Sequence, residues 1–261
     1  MTRTPRKNWM AELVPSDAAP GARRGVRARS GRLEGTQEGQ KAMTPLSEGL
    51  GLTSARLRLR MVERLRASGI REERVLAAMA QVPRHAFVDE ALASRAYEDS
   101  ALPIGLEQTI SQPFIVARMT ETLCACAQGG KVLEIGTGCG YQAAILAAIA
   151  GEVYSVERIR VLHDRARQNL RPLRLPNLRL VYGDGLNGLP EAAPFDGMLI
   201  AAAAADLPET LLLQLRVGGV AIAPLGQDRQ SLCRISRTGP RSFARERLED
   251  VRFVPLLPGT T

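Results

Sequence analysis

From residue 54 onward, the apolar positions Leu57, Met61, Val62, Leu65 and Ile70 fall at helical spacing with arginines between them, which predicts an amphipathic helix. A second helix is predicted over 71–79, ahead of Pro83, and 84–102 reads as short helix and turn. An irregular segment, 103–113, precedes a helix over 114–123, so helices and no sheet are expected in this part of the chain. After Lys131 the pattern changes: short apolar runs over 132–135, 152–157, 178–182, 196–202 and 220–224 alternate with helical stretches over 141–150, 159–173 and 209–215. Such alternation is the signature of a parallel sheet with helices on its faces. The segments 231–236 and 251–256 read as strands with little helix between them, which predicts antiparallel additions at the sheet edge. The expected fold class is α/β, a Rossmann-like, mostly parallel twisted sheet with an N-terminal helical cap and antiparallel C-terminal strands. It forms one domain over 53–261, with 53–125 as cap and substrate-binding segment and 126–261 as α/β core.

Composition changes this picture at the N-terminus. Residues 1–52 carry Pro5, Pro15, Pro20 and Pro45, many Gly and Arg, and no sustained apolar period, so they are expected to be a disordered basic extension. The formal charge of +8 invites a nucleic-acid partner. However, residues 75–261 hold nineteen charges of each sign, so the excess belongs to the extension and the segment after it. No nucleic-acid partner is expected from a solvated basic tail. The apolar run over 198–205 is far shorter than the roughly 18 residues that span a bilayer, and no apolar stretch follows Arg3, Arg6 and Lys7 as in a secretory leader. A cytoplasmic, membrane-free monomer is expected. Cys124, Cys126, Cys139 and Cys233 follow no disulfide framework and lack metal-ligand spacing with His85 or His163, so reduced thiols and no metal are expected.

The strongest local signal is Val132-Leu133-Glu134-Ile135-Gly136-Thr137-Gly138-Cys139-Gly140-Tyr141: a strand, a glycine-rich turn and a helix start. Glycines let the backbone turn sharply and approach a ligand closely. The spacing is G-x-G-x-G, with Tyr141 following, and so departs from the dinucleotide fingerprint. S-adenosylmethionine carries no phosphate, and Glu134 within the strand favours it over a dinucleotide. Glu157 closes the next strand, where a carboxylate can accept from both ribose hydroxyls. Gly183-Asp184-Gly185 follows the third strand, and Asp184 is expected to meet the adenine amino group. Taken singly, a strand-ending Glu is often a surface residue and Gly-Asp-Gly often a plain turn. In order and spacing they point to S-adenosylmethionine. After the fourth strand, Ala201 to Ala205 offer nothing to hold a flipped base, which argues against base methylation.

Five blocks carry a wider likeness: Tyr97-Glu98-Asp99-Ser100-Ala101-Leu102-Pro103-Ile104-Gly105, Gln108-Thr109-Ile110-Ser111-Gln112-Pro113, the glycine loop, Gly183-Asp184-Gly185 and Val251-Arg252-Phe253-Val254-Pro255-Leu256. Together they resemble the protein-L-isoaspartate O-methyltransferase family over nearly all of 54–258. The Thr-Ile-Ser-Gln-Pro block is specific to that family, whereas the glycine loop is shared by many methyltransferases. The resemblance implies methyl transfer from S-adenosylmethionine to the α-carboxylate of L-isoaspartyl residues in damaged proteins, which initiates their repair. It implies Ser111 as the active-site serine. Glu134, Gly136, Thr137, Gly138, Gly140, Tyr141, Glu157, Asp184 and Gly185 would form the cofactor site, and Thr109, Ile110, Gln112, Pro113, Val254 and Pro255 the isoaspartyl pocket. Two departures from the family pattern are the long N-terminal extension and Ala201 where relatives often have threonine.

A carboxylate is already ionised at neutral pH, so its methylation needs no general base. His85 is therefore expected to be structural, and His163 to be solvated on a charged helix face. A second role for Ser111, capping the helix that follows it, is compatible with the first. Two other readings are a non-catalytic, nucleic-acid-associated S-adenosylmethionine-binding module that uses the basic tail, and methylation of a small-molecule carboxylate.

Overall fold

The structure, a computed structural model, describes residues 48–127 and 129–261. The expected disorder of the extension lies, up to residue 47, outside the described residues. Helix α1 (Glu48–Ala67) opens within the stretch assigned to that extension, ahead of Ser54. It buries Met61, Val62 and Leu65. Helix α2 (Glu73–Gln81) starts at Glu72, whose carboxylate accepts the Arg74 N–H, and ends where the Val82 N–H bonds the Ala78 carbonyl, one residue before Pro83. Two 3-10 turns, Arg84–Phe87 and Glu90–Arg95, fill the predicted helix-and-turn stretch.

The expectation of no sheet before Lys131 is corrected here. Strands β1 (Leu102–Gly105) and β2 (Gln108–Ile110) form an antiparallel hairpin with Leu102 opposite Ile110. Its turn residues, Leu106 and Glu107, both have positive φ (53° and 59°). That conformation suits a two-residue hairpin turn, but it is usually signalled by Asn or Gly, and this sequence has neither there. The alternation is nonetheless real, with Leu102 and Ile104 buried and Pro103 and Gly105 exposed. Helix α3 (Pro113–Ala127) follows.

The main sheet has seven strands in the order β5-β4-β3-β6-β7-β8-β9. They are β3 (Lys131–Ile135), β4 (Glu152–Glu157), β5 (Leu178–Tyr182), β6 (Phe195–Ile200), β7 (Leu215–Leu225), β8 (Gln230–Arg237) and β9 (Phe243–Val251). Strands β3 to β7 pair in parallel, and β8 and β9 are antiparallel additions, as the sequence predicts. Helices α4 (Tyr141–Ile149) and α5 (Arg160–Leu170) connect β3 to β4 and β4 to β5, and the short α6 (Glu209–Leu212) precedes β7. The helix expected over 209–215 is cut short because Leu215 already opens β7 opposite Phe195.

The last strand is also displaced. The sequence places it over 251–256, the apolar stretch, but it runs over Phe243–Val251, where the exposed positions are Ala244, Arg245, Glu246, Arg247 and Asp250. An outermost strand needs no apolar run, because one edge and much of one face meet water. The 254–256 stretch turns inward instead: Ala203 donates its N–H to the Val254 carbonyl at 2.8 Å, and Leu256 donates to the Ala203 carbonyl at 2.7 Å. His163 corrects another expectation. It is buried, its ring centroid 6.0 Å from that of Tyr182. His85 is structural as expected: it packs against Tyr97, with Nδ1 2.6 Å from the phenol oxygen.

Candidate active site

Strand β3 lies between β4 and β6, where the chain's path across the sheet reverses. In open α/β sheets a crevice forms there, at the carboxyl ends of the strands. The glycine loop leaves β3 at that place, and its Gly136 and Thr137 N–H groups both reach the Val156 carbonyl, at 2.9 and 3.3 Å. Gly140 has φ +93°, and a Cβ there would lie 2.8 Å from Leu170 Cδ1. Leucine could yield, but the backbone strain would remain. Gly140→Ala is expected to cost about 1–3 kcal/mol, read as a lower urea midpoint. Gly185 is held for a different reason: its Cβ would come within 2.3 Å of Ile135 Cγ2, so the turn after β5 packs directly on β3.

Glu157, at the end of β4, is 4% exposed and organises the loop. One carboxylate oxygen accepts the Gly138 N–H at 2.8 Å and the other the Ile159 N–H at 2.9 Å. Both oxygens keep a further lone pair for a ligand in the cleft. Behind the loop, Glu134 is completely buried. Its Oε2 accepts from the Ser155 hydroxyl, the Ser155 Oγ lies 2.6 Å from Thr137 Oγ1, and its Oε1 has no partner. Burial, reinforced by the nearby Glu157 charge and opposed by the Ser155 hydrogen bond, pushes its pKa up to about 8. Glu134 is thus a neutral acid at pH 7 that bears on the cleft through Ser155 and Thr137.

A cleft opens on these residues. Of the sequence-predicted residues, it is lined by Thr109, Ile110, Ser111, Gly136, Thr137, Gly138, Tyr141, Glu157, Gly185, Val254 and Pro255. Glu134, Gly140, Pro113 and Asp184 are not among its lining residues. Asp184 holds main chain: its carboxylate accepts the Leu186 N–H at 2.9 Å and the Gly259 N–H at 2.7 Å, which pins the C-terminal residues to the cleft's edge. A second cavity adjoins the first and includes Gln112, Asp250 and Arg252. Thr109, Ser111, Ala201 and Val254 line both.

The helix-capping role for Ser111 is not what the structure shows. Asp99 takes that part, its carboxylate accepting the Phe114 N–H at 2.9 Å. The Ser111 hydroxyl has no partner among the described residues, while its carbonyl accepts from Arg84 at 2.7 Å. Arg84, Asp99, Ser155 and Arg252 are site or support residues that the sequence reading did not assign. Asp99 and Arg252 lie inside the blocks that carry the family likeness. Arg84 and Ser155 carry no sequence signal, because their roles depend on contacts across the fold.

A parallel sheet with antiparallel last strands, a glycine loop at its switch point and an acid closing the next strand define the class of S-adenosylmethionine-dependent methyltransferases. Within it, the chain belongs to the protein-L-isoaspartate(D-aspartate) O-methyltransferase family, whose sequence model matches residues 56–261. A protein-L-isoaspartate O-methyltransferase of Aromatoleum aromaticum is 62% identical over 210 residues, covering 80% of this chain and 96% of that protein. One of Burkholderia thailandensis is 54% identical over 250 residues, covering 94% of this chain and 76% of the relative. The fold is similar to the crystal structure of a Plasmodium falciparum protein described as a putative protein-L-isoaspartate O-methyltransferase, in complex with S-adenosyl-L-homocysteine. The TM-score is 0.69 at 26% identity, over 77% of this chain and 98% of that one.

Proposed function

We propose that the cleft takes S-adenosylmethionine, that the adjoining cavity takes the α-carboxylate of an L-isoaspartyl residue in a damaged protein, and that the methyl group crosses the wall carrying Ser111. The observation that carries this reading is the shared wall: Thr109, Ser111, Ala201 and Val254 face both spaces. The cofactor fits the residues present. The buried Glu157 carboxylate keeps acceptor capacity, and a Cβ at Gly136 would stand 3.4 Å from Ala201 Cβ, in space the glycine leaves open. When bound, the cofactor supplies an electrophilic methyl group on a sulfonium.

The chain's own residues then do four things. Gly136, Thr137, Gly138, Gly140 and Tyr141 shape the floor and the helix start, with Glu134 behind them. Glu157 accepts from the ribose hydroxyls, and Asp184 and Gly185 border the adenine side. Thr109, Gln112 and Val254 enclose the isoaspartyl residue, Ile110 and Pro255 line the cleft on the other side of the shared wall, and Pro113, which lines neither space, starts α3. The Ser111 hydroxyl donates to one carboxylate oxygen and leaves the other free to meet the methyl carbon. Because the carboxylate is ionised at pH 7, catalysis rests on aligning that oxygen about 3–3.5 Å from the methyl group, and no base is required. The ester formed collapses spontaneously to a succinimide, which starts repair.

The enzyme works as a cytoplasmic monomer on protein rather than nucleic acid. Supporting this, the cationic excess lies outside 75–261, and among the described residues no helix is long and apolar enough to cross a membrane. The test is methyl transfer from labelled S-adenosylmethionine to a peptide carrying L-isoaspartate beside the same peptide with aspartate. Label in the isoaspartyl peptide alone is the expected result; equal labelling of both, or labelling of free small acids instead, overturns the reading.

A further inference from the structure

Arg84 begins the 3-10 turn after Pro83, and its side chain is wholly buried. Its Nε donates to the Ala96 carbonyl at 2.8 Å and one Nη to the Ser111 carbonyl at 2.7 Å. The guanidinium carbon stands 5.0 Å over the centre of the Tyr141 ring, a wall of the cofactor cleft. The other Nη has no partner, and neither has the buried Tyr141 hydroxyl. Among the described residues no carboxylate is within ion-pair distance of Arg84. Asp99, whose charge does reach it, is already engaged with the Phe114 N–H.

A buried cation without a direct ion-pair partner is costly, and two carbonyls could be held by a neutral amide. The feature peculiar to arginine here is a permanent positive charge joined to the Ser111 main chain. We infer that Arg84 is a positioning residue for the carboxylate subsite: it fixes the Ser111 peptide in place and supplies a positive field that the substrate's carboxylate completes. This rests on the reading of the Ser111 wall as the place of methyl transfer.

The charge balance of the reaction gives the inference a distinctive signature. The carboxylate oxygen forms a bond to the methyl carbon as the carbon–sulfur bond breaks and its electron pair stays on sulfur. One anion and one cation thus become a neutral ester and a neutral thioether. A fixed cation near both therefore favours the anionic peptide before transfer and disfavours the sulfonium relative to the thioether product. Arg84 acts mainly on binding, because the charges it senses vanish toward the transition state.

The experiment compares wild type, Arg84→Gln and Arg84→Lys. It measures Kd for S-adenosylmethionine and S-adenosylhomocysteine by calorimetry, and KM and kcat with the isoaspartyl peptide. Arg84→Gln is expected to raise the peptide KM about tenfold with a smaller change in kcat, and to lower the ratio Kd(S-adenosylmethionine)/Kd(S-adenosylhomocysteine) at least threefold. Arg84→Lys, which keeps the charge, should hold that ratio within twofold of wild type. If Arg84→Gln weakens both cofactor forms by one factor, or lowers kcat alone, Arg84 is a structural peg and the inference falls. If the glutamine variant fails to fold, as judged by near-UV circular dichroism, the lysine variant decides: a ratio shifted more than twofold overturns the inference. The wider reading is tested separately on wild type, by comparing the isoaspartyl peptide with its α-carboxamide analogue. Equal affinity for the two would remove the anionic subsite itself.

Discussion

Ser111→Ala is expected to lower kcat/KM toward an isoaspartyl peptide about a hundredfold while S-adenosylhomocysteine binds within twofold of wild type. Ser111 lines both cavities and its hydroxyl has no partner among the described residues, so its removal strands no buried group in the chain. Stability should therefore stay within about 0.5 kcal/mol. What is lost is orientation of the carboxylate, and misplacement of a reacting atom by about 1 Å costs roughly 10² in rate. Steady-state kinetics beside calorimetry separates the outcomes. A parallel loss of S-adenosylhomocysteine affinity would place the serine in cofactor binding instead.

The second large effect concerns Glu134 and reads out as stability against pH. Its carboxyl titrates at about 8 in the folded chain because it is buried, against about 4.5 when exposed. The folded state thus holds this proton more tightly than the unfolded state. Stability is greatest below about pH 4.5 as far as this group is concerned, falls as pH rises toward 8, and levels off above it. Glu134→Gln keeps the shape and stays neutral. The difference in Tm between variant and wild type should accordingly grow from near zero at pH 5 to roughly 10 °C at pH 9, which corresponds to several kcal/mol in a domain of this size. A difference that does not change with pH would show that Glu134 is ionised throughout.

The parallel core was legible because its strands are apolar runs set between helical periods, and β4 and β5 fall at the very positions the pattern gives. The placement of the glycine loop and Glu157 at the cleft was legible for a related reason: each follows directly from the end of one strand. The hairpin at 102–110 was not, because Leu106 and Glu107 adopt turn geometry that residues of their type rarely signal. Strand β9 escaped because hydrogen bonds to β8, and not an apolar face, define it. His163 escaped because a charged helix still buries one face, here against Tyr182. The supports of the site were the least visible. Arg84 meets Ser111 across 27 residues and Ser155 meets Glu134 across 21, and neither pairing leaves a periodicity or a motif.

The displaced last strand bears on how such an enzyme survives its own substrates. Damaged chains offer extended segments ready to pair with any open sheet edge. At one edge the sheet ends in Phe-Ala-Arg-Glu-Arg-Leu-Glu-Asp-Val, where arginines and acids occupy most positions of the strand. A passing segment would have to align its side chains with charges of both signs to add there. This edge thus discourages adventitious strand addition and the aggregation that follows from it.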